Sequence, residues 1–200
     1  YLLALTLSVA VAALVRPWFD HVSVPNEPGL LQLLAHVLLL QGLLGQESLS
    51  AGVWYVAIDF QLFALTVLGL TLARRLQSRT AQRAPWGMVL VGCMALASLV
   101  YFNLHAALDD TALYFFGAYG LGMLAFWAGR SPHARNWLVL LAWVGVTALV
   151  VQFRGRIAVA LVVALWLGVA QAWPRLQQWP RHAGLQAVGR MSYSVFLIHF

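Results

Sequence analysis

Long, unbroken apolar runs govern what this chain can become. Residues 51–72, 86–103, 112–129, 136–152 and 156–173 are each close to the length that carries a helix across a bilayer core, about 20 residues with a range of about 17 to 25. Shorter apolar runs at 1–15 and 188–200 bring the expected total to about seven spans. Composition agrees: 62% of the 200 residues are hydrophobic and 9% are charged, where soluble domains carry about 25% charged residues. Mean hydropathy is +0.80. The expected fold class is all-α, a polytopic transmembrane helix bundle forming a single domain over residues 1–200. Tyr1 opens directly into an apolar run, and the last residues, MSYSVFLIHF, stop inside another. The chain is therefore expected to be a piece of a longer protein.

Charge placement sets the expected sidedness. All 12 basic residues are Arg. They sit between the apolar runs rather than along one face, so the net charge of +6 does not point to nucleic acid. Arg74, Arg75, Arg79 and Arg83 lie together after residues 51–72, which puts that loop in the cytoplasm. Asp109 and Asp110 then fall outside; Arg130, Arg135, Arg175 and Arg181 fall inside. Arg154 and Arg156 break the pattern by landing outside, where they would snorkel to headgroups or bind an anionic ligand. The loops at 16–29 and 45–51 can both be external only if LLQLLAHVLLLQGLLG, residues 30–45, does not cross. That run is expected to be an interfacial or re-entrant helix.

Within the run 51–72, GVWYVAIDFQLFAL places Asp59 about 12 Å below the outer end at 1.5 Å per residue. A carboxylate at that depth is costly unless paired or solvated. Asp59 shares a helix face with Tyr55 and Phe63 at i, i+4 spacing, while Trp54 and Gln61 lie around the adjacent faces. Asp59 is expected to look into the bundle, toward a cavity, an Arg or a His. It serves there either as a site carboxylate or as a structural ion pair.

GRMSYSVFLIHF, at the end of the chain, is the second polar cluster. Ser192, Tyr193, Ser194 and His199 would line a polar path or hydrogen-bond between helices. No G-x-S-x-G elbow surrounds either serine, which removes a serine-hydrolase reading. His36 lies on the amphipathic run 30–45; His21, His105, His133 and His182 lie in loops or at a span end. No H-E-x-x-H or paired-Cys pattern suggests a metal. Cys93 stands alone in a span, as a small packing residue. Gly117, Gly120 and Gly122 read as points of close helix approach.

Taken together, two segments resemble the membrane-bound acyltransferase family 3, the O-acyltransferases of bacterial surface polysaccharides. WYVAIDFQLF resembles the family's W-x4-[E/D]-x2-F-Y signature, with Trp54 and Asp59 at its first two positions. GRMSYSVFLIHF resembles its G-x-x-S-Y-S-x-Y-L-x-H segment. Leu62, Phe63 and Phe196 depart from the usual Phe, Tyr and Tyr. The resemblance implies about ten spans in the whole protein. It also implies that a catalytic His and an acyl-CoA-contacting Arg pair lie before Tyr1, so this stretch alone is expected to be inactive. The implied enzyme sits in the bacterial inner membrane and moves an acyl group, expected to be acetyl, from cytoplasmic acyl-CoA to a hydroxyl of a surface carbohydrate or glycolipid. Acyl-CoA is a co-substrate, and no bound cofactor or metal is implied. The implied catalytic residues are Asp59 and His199. The implied substrate contacts are Trp54, Tyr55, Gln61, Ser192, Tyr193 and Ser194. The alternative is a proton-coupled transporter or channel with Asp59 as its ion site, although the halves show no visible repeat. A scaffold or sensory module would leave Asp59 and Gln61 unexplained.

Overall fold

The structure is a computed structural model that describes residues 1–19, 26–80, 85–173, 176 and 183–198, with backbone alone at 51 and 193–198. Eight α-helices are seen among the described residues: α1 Leu2–Val15, α2 Leu30–Val37, α3 Ala51–Arg79, α4 Trp86–Val100, α5 Ala112–Gly129, α6 Ala134–Val151, α7 Gly155–Ala172 and α8 Ala183–Ile198. No strand occurs among these residues. Five helices, α3 to α7, are long and apolar enough to cross a membrane. The protein is a multi-pass membrane protein of all-α architecture. Four of the five interior spans agree with the sequence expectation within three residues at each end, whereas α3 runs seven residues past the expected end at 72 and takes Arg74, Arg75 and Arg79, expected in a loop, into the helix. The two terminal runs instead form α1, with 14 residues, and α8, with 16. α8 starts at Ala183, five residues ahead of the expected start at 188.

The chain divides into two compact units, residues 1–61 with 181–200, and residues 62–180. In the second unit α5 is the central helix and packs on α4, α6 and α7. Its core joins Leu121, Ala125 and Ala128 of α5 to Leu138 and Leu141 of α6 and Ile157, Leu161 and Ala164 of α7. In lipid this association has little hydrophobic driving force, so close packing between small residues dominates. A Cβ at Gly120 would come within 2.7 Å of the Ala95 Cβ, and one at Gly117 within 2.9 Å of Leu99. Gly122, by contrast, faces open space and is not a packing point. Buried Ser98 ties α4 to α5: its hydroxyl donates to the Leu113 carbonyl at 2.7 Å and accepts from the Gly117 N–H at 2.8 Å.

Two 3-10 turns, Phe102–Leu104 and Ala106–Leu108, link α4 to α5. Arg154, just before α7, is bound into this corner. It donates to the Asn103 side-chain oxygen at 2.6 Å and to the Leu99 carbonyl at 3.0 Å. Asn103 in turn donates to the Tyr114 carbonyl at 2.9 Å. Arg156 lies over the rings of Tyr114 and Phe115, at 5.7 and 5.8 Å from their centroids. Both arginines that broke the expected charge pattern are thus held by the protein itself.

In the first unit the apolar run 30–45 does not form one helix. α2 stops after two turns because Leu39 takes a left-handed conformation, φ 60°. The Leu40 N–H then reaches the Ala35 carbonyl at 2.8 Å and the Leu39 N–H reaches that of His36 at 3.0 Å, the paired bonds of a Schellman stop. The next turn ends the same way at Gly45, φ 62°, with the Gln46 N–H on the Gln41 carbonyl at 2.8 Å. An α2 of eight residues spans about 12 Å, too short to cross, as expected for an interfacial or re-entrant segment.

Candidate functional site at the start of helix α3

The entry to α3 is fixed by three polar groups that close a loop of backbone. Ser50 caps the helix, its hydroxyl accepting from the Val53 N–H at 3.3 Å. Gln41, 1% exposed, donates to the Val53 carbonyl at 3.4 Å. His36 is fully buried. Its Nδ1–H donates to the Gln32 carbonyl at 2.7 Å, and its Nε2 accepts from the Leu49 N–H at 3.1 Å. A carbonyl can only accept and an amide N–H only donate, so this geometry selects the neutral tautomer with the proton on Nδ1. Burial also holds the imidazole below its ordinary pKa, partly offset by the Gln32 bond. Tyr1 adds a fourth contact, its hydroxyl donating to the His36 carbonyl at 2.6 Å.

This clamp fixes where the first two turns of α3 present their side chains. Val53, Val56, Ala57, Ile58 and Leu62 are buried. Tyr55, Asp59, Phe60 and Phe63 are exposed. Tyr55, Asp59 and Phe63 therefore share a face, as their spacing requires. That face points away from the packed core, and among the described residues Asp59 makes no ion pair. The expectation that Asp59 looks into the bundle toward an Arg or His is not met by those residues. Gln61 is buried, and two residues along a helix put it about 200° around the axis from Asp59. Asp59 and Gln61 thus belong to opposite faces and do not form one site. Trp54 is half-buried beside Tyr55.

Ser192 is exposed on α8 and its hydroxyl donates back to the Gly189 carbonyl at 2.8 Å, a local bond within the helix. The backbone of Tyr193 and Ser194 is helical, but their side chains lie outside the described residues, as does His199. No group of three potential metal ligands occurs among the described residues.

The clamp residues themselves escape a motif reading. Ser50 carries the one local signal, a capping residue immediately before an apolar run. His36 and Gln41 reach partners 13 and 12 positions away, which no spacing rule within a helix anticipates. The chain matches no protein-family model, no curated protein and no solved structure.

Proposed function

We propose that this chain is the membrane domain of an O-acyltransferase of the bacterial inner membrane, with Asp59 in its site. The observation that carries the reading is the presentation of Asp59. A carboxylate in a membrane-crossing helix is held on an uncovered face, one turn from Tyr55 and beside Trp54, by a purpose-built clamp at the helix start. An ionisable group in that setting is functional by default. The resemblance of WYVAIDFQLF and GRMSYSVFLIHF to acyltransferase family 3 supplies the chemistry.

In the proposed reaction the hydroxyl oxygen of a surface carbohydrate or glycolipid attacks the thioester carbonyl of acyl-CoA. The new ester C–O bond forms as the C–S bond breaks. A His takes the hydroxyl proton as general base and delivers it to the departing thiolate. The resemblance places that base before Tyr1, with His199 as the candidate within this chain; both ring nitrogens of His36 are already committed. Asp59 accepts from the other ring N–H of the base, fixing its tautomer and stabilising the cation that forms. Trp54 and Tyr55 offer aromatic surface for a sugar ring, with Ser192, Tyr193 and Ser194 as hydrogen-bonding partners.

The test uses the full gene that encodes this chain, expressed in bacterial membranes and supplied with radiolabelled acetyl-CoA. Asp59→Asn is expected to lower label entry into the polysaccharide fraction by about 10²-fold or more, the scale of general acid–base catalysis, with protein level unchanged. Equal transfer by both proteins would demote Asp59 to a structural role. Solute flux without acyl transfer would favour the transporter.

A further inference from the structure

A furrow runs along the surface of the second unit between α4 and α6. Both helices pack on α5 but not closely on each other. Two cavities of about 310 and 330 Å³ meet at Leu96 and Val144, which line both. The first extends past Gly92 and Leu140 over a floor of Leu124, and its walls are apolar throughout. The second ends at Arg154. Gly92 leaves the middle of the furrow open, for a Cβ there would meet no atom within 4 Å. An open trough in a membrane forfeits dispersion contacts along its lining unless a chain fills it.

Arg154 gives the occupant its charge. Three of its N–H groups are committed, to Asn103, Leu99 and the Gln152 carbonyl at 3.3 Å. A guanidinium carries five. The two that are left belong to a group fixed in place by the others and lining the furrow's end. A fixed, partly donated guanidinium suits a phosphate, which it can grip at two oxygens. An apolar trough that ends at a cation, between two membrane-crossing helices, matches a bilayer phospholipid in both parts.

We propose that the α4–α6 furrow is a phospholipid site, with one acyl chain lying over Gly92 and Leu96 and the lipid phosphate accepting from Arg154. The site is independent of Asp59 and of the reaction proposed for it.

The test is native mass spectrometry of the full-length protein, taken from nanodiscs of phosphatidylethanolamine and phosphatidylglycerol into a maltoside detergent. Wild type is expected to keep a phosphatidylglycerol adduct. Gly92→Leu, whose Cβ meets no atom within 4 Å and whose side chain occupies the trough, is expected to cut retention about tenfold, equivalent to about 1.4 kcal/mol. Arg154→Gln is expected to weaken it too, and Arg156→Gln, at the same end but held against aromatic rings, to leave it unchanged. Diacylglycerol, which lacks the phosphate, should be retained less than phosphatidylglycerol. Loss of the adduct in Gly92→Leu with weak diacylglycerol retention supports the site. A wild type without any adduct, undiminished retention in Gly92→Leu, or equal retention of diacylglycerol would overturn it. Should Arg154→Gln fail to fold, the Gly92 variant and the headgroup comparison still decide the matter.

Discussion

His36 shows how a single side chain decides what the residues after it can do. Its Nδ1 anchors the ring to the Gln32 carbonyl within α2, its Nε2 joins the end of α2 to Leu49, the residue before Ser50, and the first turn of α3 is set from there. Replacing it with Ala would leave the buried Leu49 N–H without its partner, which costs about 1–3 kcal/mol. His36→Ala is expected to speed proteolytic cleavage between residues 38 and 50 in detergent, leaving the α5–α7 core intact. Acid should do the same to wild type. The folded imidazole titrates below its ordinary value of 6.5 because burial disfavours the cation. The neutral clamp is therefore fully present above pH 6.5, and its contribution fades as the pH falls through the lower folded value. Protonation would also place a second N–H against the Leu49 N–H. Cleavage that rises on acidification in wild type but not in His36→Ala would verify the linkage; equal pH profiles would remove His36 as its source. None of this was legible in the sequence, where His36 is one polar residue in an apolar run. Its partner lies 13 residues on, beyond a left-handed Leu39 that no propensity signals.

At the scale of the helix, the sequence reading was strong on where spans lie and weak on which way they face, and both outcomes have one cause. A run of 18 apolar residues specifies a crossing whatever lies around it. In lipid the outward and inward faces are equally apolar, so periodicity does not distinguish them. α5 illustrates this: Leu121 is 1% exposed and Phe126 39%, though both are large hydrophobes. The inward face is marked instead by small residues. Gly117 and Gly120 show this, whereas Gly122, close by in the same run, meets nothing. Asp59 meets the same limit: its chemistry argued for an inward face, while among the described residues it is exposed and α3 buries Ile58 and Leu62. The α5–α7 contact is the most sensitive to added volume. A Cβ on Gly129 would collide with the Gly168 carbonyl and come within 2.7 Å of the Gln171 Cβ. Backbone cannot swing aside as a side chain can, so Gly129→Ala is expected to destabilise by about 1–3 kcal/mol, the scale of overpacking. Gly122→Ala has open space and gains up to about 1 kcal/mol of helix propensity. Thermal unfolding in detergent should therefore move in opposite directions for the two variants. A Gly129→Ala protein as stable as wild type would mean that α5 and α7 have room to separate.

For the whole molecule, the arginines decide orientation once each has been assigned a partner. Arg74, Arg75 and Arg79 end α3, and Arg130 and Arg135 flank the turn between α5 and α6. Alternate crossings by α3 to α6 bring these two places to one side of the membrane, and the α4–α5 turns with Asp109 and Asp110 to the other. Arg154 and Arg156 lie on that second side and look like a contradiction of the positive-inside rule. The structure resolves it, because Arg154 is bonded to Asn103 and Leu99 and Arg156 rests on two aromatic rings. They serve the fold of that corner, while the exposed Arg74, Arg75 and Arg79 at the end of α3 are left to set the orientation. The chain's single thiol, Cys93, can be removed to give a clean background. Single cysteines at Ser78 and at Asp109, both exposed, should then report opposite sides to a membrane-impermeant maleimide. Asp109→Cys is expected to label in intact cells and Ser78→Cys only after permeabilisation. Adding Arg74→Gln, Arg75→Gln and Arg79→Gln together should weaken that preference, whereas Arg156→Gln should leave it unchanged. Labelling of Ser78→Cys from outside in the otherwise wild-type protein would invert the topology. It would also turn the Asp59 end of α3 toward the cytoplasm, where no surface carbohydrate could reach it.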